Sequence, residues 1–340
     1  MRRLPIFLVI DVSESMVGMP LRTMQEGITR LINELRKDPH ALETVYLSII
    51  GFAGIAKSLT PLVELMAFYP PRLPIGSGTS LGKALHHLMD EIDRQVIKNS
   101  VDKKGDWKPI VYLMSDGKST DNPYSAIERW KNDYAKQANL ISIGIGQYAD
   151  LSVLHEISHC VLRLEDTEEK MLRGFIQWVT QSIVTQSRSV GMDKPISLEK
   201  KEVGFALSWV KELNEAMAID EPFVILSALC RQIKLPYILK YEKRESSSEQ
   251  YILSGVYPLE SDYQDWSESG SYQRSIAVSQ LIGGAPCPHC QAYYSLVSCG
   301  CGQIFCFNPN DEQHGHCPAC YSPLNLVESD EDFSINRSRG

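Results

Sequence analysis

At 340 residues the chain is long enough for about two packed domains, and its 43% hydrophobic content is that of an ordinary globular protein. Acidic residues outnumber basic ones by 42 to 34, a formal net charge of -8, which argues against a surface built to hold nucleic acid phosphates. No run reaches the roughly 18 apolar residues that a membrane-spanning helix needs. The apolar run after Met1-Arg2-Arg3 stops at Asp11 and lacks a small-residue cleavage site, so it reads as a strand and not as a secretion signal. Seven of the nine cysteines fall between Cys287 and Cys320. Clustered CxxC pairs of this kind point to metal binding in a reducing compartment, hence to a cytoplasmic protein.

Leu4 to Ile10 is apolar without alternation, the pattern of a parallel strand buried on both faces. It ends in Asp11, Ser13 and Ser15, where open α/β sheets place their ligands. One carboxylate and two hydroxyls are hard oxygen donors that suit Mg²⁺ or Mn²⁺ better than zinc or copper. Pro20 opens a helix whose Leu21, Met24, Ile28, Leu31, Ile32 and Leu35 recur at helical spacing until Asp38-Pro39. Thr44 to Phe52 reads as a strand and Ile55 to Leu65 as its companion. The loop from Pro70 to Gly78 then delivers Thr79 to the start of a helix carrying Leu81, Ala84, Leu85, Leu88 and Ile92.

The segment GSGTSLGK in this region imitates a phosphate-binding loop, but Ser77 stands where that motif needs Gly and Ala84 where it needs Ser or Thr. A strand Ile110 to Met114 ends in Ser115-Asp116-Gly117. After it come a helix Tyr124 to Gln137, a strand Leu140 to Ile145, a short helix near Leu151 to Ile157, a strand Cys160 to Leu164 and a helix Thr167 to Thr185. This alternation implies an α/β fold with a doubly wound, mainly parallel sheet over residues 1–187. An aspartate-nucleophile phosphatase also begins with a strand and an Asp, but it needs a second Asp as acid and base where this chain has Ser13. Asp121 reads either as a rim residue of the metal face or as a helix cap. His155 and His159 share a helical spacing but have no third ligand nearby in sequence.

Residues 188–200 read as a linker and 201–286 as a small α+β region. Helices are expected over Val203 to Ala216 and Glu221 to Cys230, and strands over Pro236 to Tyr241 and Tyr251 to Tyr257. Residues 287–327 read as a zinc-ribbon-like module with Cys287, Cys290, Cys299, Cys301, Cys306, His314, His316, Cys317 and Cys320 as candidate ligands. The two CxxC pairs alone suffice for one structural site. Cys299, Cys301, Cys306 and one of the two histidines raise the number to eight, enough for two closed Zn²⁺ sites, with the grouping left open by spacing. Cys160 and Cys230 stand apart and read as buried thiols. The acidic tail, 328–340, is expected to be disordered; from Cys287 onward only Arg337 and Arg339 are basic, which favours protein over nucleic acid as a partner.

Asp11, Ser13, Ser15, Thr79 and Asp116, in that order and each at a strand end or helix start, resemble the metal-ion-dependent adhesion site (MIDAS) of von Willebrand factor type A domains. With the cysteine-rich module behind it, the whole chain resembles the TerY-like proteins of bacterial tellurite-resistance and stress operons. The resemblance implies Mg²⁺ or Mn²⁺ at the five residues, with a partner's carboxylate completing the coordination. It also implies a non-enzymatic adaptor working with a serine/threonine kinase and a PP2C-type phosphatase, in stress or phage defence, with no membrane and no nucleic acid partner. Three alternatives stand beside it: a recruiting subunit of an AAA-type chelatase or remodelling ATPase, a ubiquitin-ligase-like scaffold with cross-braced zinc pairing, and a metal-dependent enzyme. For the last, no second acidic or histidine base is evident near Asp11.

Overall fold

The computed structural model describes residues 2–102, 104–116, 119–146, 149–158, 160–164, 169–189, 208–209, 223–244, 249–268, 274–310, 315–324 and 333–337. Two compact units emerge. The first comprises Met1–Val12, Met19–Pro74 and Thr79–Met217, and the second Ser13–Gly18, Ile75–Gly78 and Ala218–Gly340.

In the first unit the chain runs β1 (Leu4–Asp11), α1 (Met19–Leu35), α2 (Pro39–Thr44), β2 (Val45–Phe52), β3 (Ala56–Glu64), α3 (Leu81–Gln95), β4 (Ile110–Ser115), α4 (Tyr124–Arg129), β5 (Asn139–Ile145), α5 (Ser152–Ile157), β6 (Cys160–Leu164), α6 (Glu169–Ser189) and β7 (Ser208–Trp209). The seven strands form one sheet in the order β3-β2-β1-β4-β5-β6-β7. β2, β1, β4, β5 and β6 are parallel, with antiparallel β3 and β7 at the two edges. The α/β class and mainly parallel sheet expected from the alternation are found.

Every residue of β1 is buried, which is why its sequence shows no polar alternation. Phe7 and Val9 share a core with Leu85, Leu88, Ile92, Val111, Trp130 and Leu154, and Ile6, Leu8 and Ile10, whose side chains alternate to the other face, are equally buried. On α1, Gly27 is a packing requirement, since a Cβ there would lie 2.5 Å from Ile176 of α6. The helix expected to continue to Gln137 instead passes from α4 into a π-helical turn, Trp130–Tyr134, in which Ala135 N donates to Trp130 O. That turn stacks Trp130 on Tyr134 and lets Trp130 Nε1 donate to Ile157 O at 3.1 Å.

The second unit is built on β8 (Phe223–Leu229), β9 (Pro236–Lys243), β10 (Tyr251–Pro258), a helical turn α7 (Tyr263–Trp266), β11 (Ser275–Ala277), β12 (Leu281–Ile282), β13 (Tyr294–Ser298), β14 (Ile304–Phe307) and β15 (Ser334–Asn336). Six of these strands form a sheet in the order β12-β10-β9-β8-β14-β13, and β11 pairs with β15.

Three expectations are corrected here. Glu221 to Cys230 is not a helix: β8 lies between β9 and β14, and a seven-residue segment that is apolar except for Ser227 fits an interior strand as well as a helical turn. The cysteine-rich stretch is not a separate ribbon, because β14 pairs with β8 through Ile304↔Ala228 and Phe305↔Leu229 and so extends the same sheet. The tail is not wholly disordered: Ile335 pairs with Ile276, is 3% exposed and joins the core of the unit. The helix expected over Val203 to Ala216 lies outside the described residues except at Ser208–Trp209, which pair with β6 as a strand. Replacing Ile335 by Ala should lower the unfolding free energy of the second unit by roughly 2–5 kcal/mol in urea titrations, the cost of emptying a filled apolar site.

Candidate metal centres

The end of β1 is positioned by its neighbour. The register Ile10↔Met114 sets Asp11 beside Ser115, whose hydroxyl donates to Asp11 Oδ2 at 2.7 Å. Asp11 is fully buried. Asp116 follows directly, half-buried, and its carbonyl accepts from Asp150 N at 2.8 Å. Thr79, 2% exposed, is tied to the loop after β4 in both directions: its N donates to Thr120 Oγ1, and its carbonyl accepts from Thr120 N, each at 2.9 Å. Asp11, Thr79 and Asp116 thus lie at the carboxyl-terminal strand ends of the first unit and in the loops attached to them.

Asp121 is engaged elsewhere. Its two carboxylate oxygens accept from Gly82 N and Lys83 N, both at 3.0 Å. It caps the start of α3, and so anchors the residues that follow Thr79.

Ser13 and Ser15 belong to the loop that continues β1. Their hydroxyls lie 2.9 Å apart, Ser13 is buried and pairs with Gly76, and Ser15 is half-buried with its carbonyl accepting from Lys240 Nζ at 3.1 Å. Between them Glu14 is fully buried, one oxygen accepting from Ser77 Oγ at 3.1 Å and the other from the Tyr263 hydroxyl. Nothing in the sequence signals this, since a Glu in a polar loop ordinarily faces water. The donors at these five positions are carboxylate and hydroxyl oxygens, with no thiol or imidazole among them. That set fits a hard divalent cation of the Mg²⁺ or Mn²⁺ type.

The cysteines form two groups. Cys230, Cys287, Cys290 and Cys306 lie with all sulfurs within 4.8 Å of one another, and so do Cys299, Cys301, Cys317 and Cys320. Four thiolates about 2.3 Å from a zinc ion at tetrahedral angles would sit about 3.8 Å apart. The pairs Cys290–Cys306, Cys299–Cys320, Cys301–Cys317 and Cys230–Cys306 are separated by 3.6, 3.6, 3.7 and 4.0 Å. These spacings are far longer than the roughly 2.05 Å of a disulfide. Both groups therefore fit zinc.

Among the described residues the fourth member of the first group is Cys230, in the turn after β8, a thiol that stands apart in the sequence. His316 is exposed and forms only a bridge with Pro323, while His314 lies outside the described residues. The second member of the His155/His159 pair, His159, is outside them as well, and burial lowers the pKa of His155. Only folding of β8 beside β14 brings Cys230 to Cys306. Along the chain the two groups alternate, the pair Cys287/Cys290 joining Cys306 while Cys299/Cys301 joins Cys317/Cys320.

The two CxxC turns repeat one backbone design. Cys287 N donates to Ala292 O and Gln291 N to Cys287 O; Cys317 N donates to Ser322 O and Tyr321 N to Cys317 O. Gln291 and Tyr321 both take φ near 60°, the left-handed conformation such a turn requires. Backbone amides also face the sulfurs, Arg231 N at 3.3 Å from Cys306 Sγ and Ala319 N at 3.4 Å from Cys317 Sγ. In the metal-free chain burial pushes the Cys287 thiol up to about 11 and raises Cys306 as well.

Two outcomes follow from this geometry. Cys230→Ser should reduce bound zinc from about two ions to about one per chain by elemental analysis, whereas His316→Ala should leave it unchanged. Because zinc must displace protons from raised thiols, its apparent affinity should fall steeply as pH drops from about 8 to about 6, as a chromophoric chelator competition would read.

Comparison with known proteins gives two family matches. A model described as von Willebrand factor type A domain matches residues 6–171, and one described as TerY-C metal binding domain matches residues 220–340. Among solved structures, proximal thread matrix protein 1 from the mussel byssus is 19% identical, with a TM-score of 0.38 over 53% of this chain and 47% of that one. The pilus adhesin SpaC from Lactobacillus rhamnosus GG is 12% identical, with a TM-score of 0.44 over 55% of this chain and 30% of that one. A von Willebrand factor type A protein from Catenulispora acidiphila is 16% identical, with a TM-score of 0.42 over 54% of this chain and 43% of that one. The chain thus spans less than half the length of each of these three proteins.

Proposed function

Because the chain joins a von Willebrand factor type A domain to a TerY-C metal binding domain, we propose that it is a metal-dependent protein-interaction adaptor of the TerY-like kind. The observation that carries this reading is the buried Asp11 carboxylate, fixed by Ser115 at the end of the central strand and followed at once by the paired hydroxyls of Ser13 and Ser15. Asp11, Ser13, Ser15, Thr79 and Asp116 would hold Mg²⁺ or Mn²⁺, directly or through water. When bound, the ion supplies positive charge that hydroxyl ligands neutralise poorly, and this favours an anionic ligand. An Asp or Glu on a partner protein meets that demand.

Binding, and not turnover, is the role these groups support. Ser13 stands where a phosphatase of related layout would need its acid and base. Thiolate-only zinc sites leave no position for a reactive water, so the two zinc groups act as staples of the second unit. The partners proposed are a serine/threonine kinase and a PP2C-type phosphatase of a bacterial stress, tellurite-resistance or phage-defence system in the cytoplasm. Among the described residues no helix is long and apolar enough to cross a membrane. The alternating grouping of cysteines also favours a second reading, a ubiquitin-ligase-like scaffold built on cross-braced zinc ions.

Pull-down from native lysate with wild-type chain and Asp11→Ala tests the proposal. Recovery of a kinase or phosphatase in Mg²⁺ should fall at least about tenfold both with EDTA and with the variant, at unchanged zinc content and circular dichroism. Partners retained equally by Asp11→Ala in EDTA would overturn the metal-mediated reading. Recovery of an AAA-type ATPase or of a ubiquitin-conjugating enzyme would replace the proposed partners.

A further inference from the structure

The two cysteine groups of the second unit differ in what surrounds them. In the first, Cys230, Cys287 and Cys306 are at most 1% exposed. They share an apolar core with Val224, Tyr237, Leu239 and Ile304, and Cys290 packs against it. In the second, Cys301 and Cys320 are exposed, Cys299 is half-buried and Cys317 alone is covered. A cavity of about 410 Å³ opens on Cys299 and Cys301, with Gly300, Gly302 and Asn336 along its wall. A Cβ on Gly300 would meet nothing within 4 Å, so the chain between these two cysteines stands in open space.

Within the exposed group two pairs of sulfurs lie close together, Cys299 and Cys320 at 3.6 Å and Cys301 and Cys317 at 3.7 Å. Each pair joins an exposed cysteine, Cys320 or Cys301, to a more covered one. A thiol bound to zinc is held as the thiolate, the form that attacks an electrophile. An accessible thiolate with a second thiol beside it oxidises to a disulfide, because the neighbour captures the sulfenic acid first formed. Sulfur spacing does not set the two groups apart, since Cys290 and Cys306 are also 3.6 Å from each other. Access from water does.

We propose that Cys299, Cys301, Cys317 and Cys320 form an oxidation site, at which a peroxide converts four thiolates to two disulfides and zinc is released, while Cys230, Cys287, Cys290 and Cys306 keep theirs. The proposal rests on the assignment of both groups to zinc. The exposed sulfur of each pair, Cys320 or Cys301, attacks a peroxide oxygen and breaks the O–O bond, becoming a sulfenic acid as water leaves. Its neighbour, Cys299 or Cys317, then attacks the sulfenic sulfur, forming the S–S bond and releasing a second water. Two peroxide molecules thus take four electrons from four thiolates and, with four protons from solvent, yield four waters, two disulfides and free Zn²⁺. Disulfide sulfurs lack the thiolate charge that holds the metal. Oxidation unties the connection between β13 and β14 from the second CxxC turn and leaves the pairing of β14 with β8 in place.

The experiment treats the full-length, zinc-loaded chain with hydrogen peroxide near neutral pH, follows released zinc with a chromophoric chelator, and maps disulfides by peptide mass spectrometry. Of about two ions per chain, about one should leave in a first phase at least about tenfold faster than the other. At the end of that phase Cys299 should be joined to Cys320 and Cys301 to Cys317, with Cys230, Cys287, Cys290 and Cys306 still reduced. Without peroxide the chelator should take up no zinc over the same time, and dithiothreitol with Zn²⁺ should restore the starting content. Cys320→Ser should hold about one ion, which peroxide releases only at the slow rate of the second wild-type phase. Release of both ions in one phase, release of neither, or disulfides joining the two groups would overturn the oxidation site while both zinc assignments stand. A chain that binds no zinc before treatment removes those assignments and the oxidation site with them.

Discussion

A carboxylate at the end of a strand with no exposed residue is expensive to bury, and much of the architecture is arranged around that cost at Asp11. β1 must be central to be buried on both faces, and a central parallel strand brings the loops after β1 and β4 to the same end of the sheet. The Ser115 hydroxyl then reaches one Asp11 oxygen. In the same unit other polar groups are held one by one: Thr79 by Thr120, and the start of α3 by Asp121. Oxygen donors held in place in this way would bind an ion at a smaller ordering cost of their own.

The second unit solves a different problem. Beside β8, β9 and β10 its sheet strands are short, and its core, which includes Tyr237, Tyr241, Phe305 and Ile335, is small. Thiolates add to what apolar burial supplies. Cys306 sits on β14 and Cys230 just past the end of the adjacent β8, while Cys287 and Cys290 come from the turn before β13, so one ion would clamp the strand to both turns. The other group lies around the connection between β13 and β14, where Cys301 and Cys320 are exposed.

How much of this could be read beforehand depended on whether the signal was local. The run from Leu4 to Asp11 announced itself because burial on both faces removes polar residues, and the DxSxS pattern that follows is contiguous. The CxxC turns are equally local. Cys230 was illegible as a ligand because its partners begin at Cys287 and only the β8–β14 pairing unites them. The segment Phe223–Leu229 misled because six apolar residues out of seven satisfy a helix turn and an interior strand alike. Ile335 was lost in an acidic tail whose composition dominates any average, although one isoleucine opposite Ile276 is enough to seat a short strand. Glu14 carries no sequence signature, since its burial is created by contacts that span the chain.

The allocation of segments between the two units has a consequence for how such a protein can be taken apart or inherited. Residues 13–18 and 75–78 are counted with the carboxyl-terminal portion although each is flanked by the other unit. The polypeptide therefore enters the second unit three times, and no single cut between consecutive residues separates the two. A gene fragment encoding only the last third would lack two inserts that belong to its own folded body. Exchange of halves as interchangeable beads would leave those two inserts on the other piece.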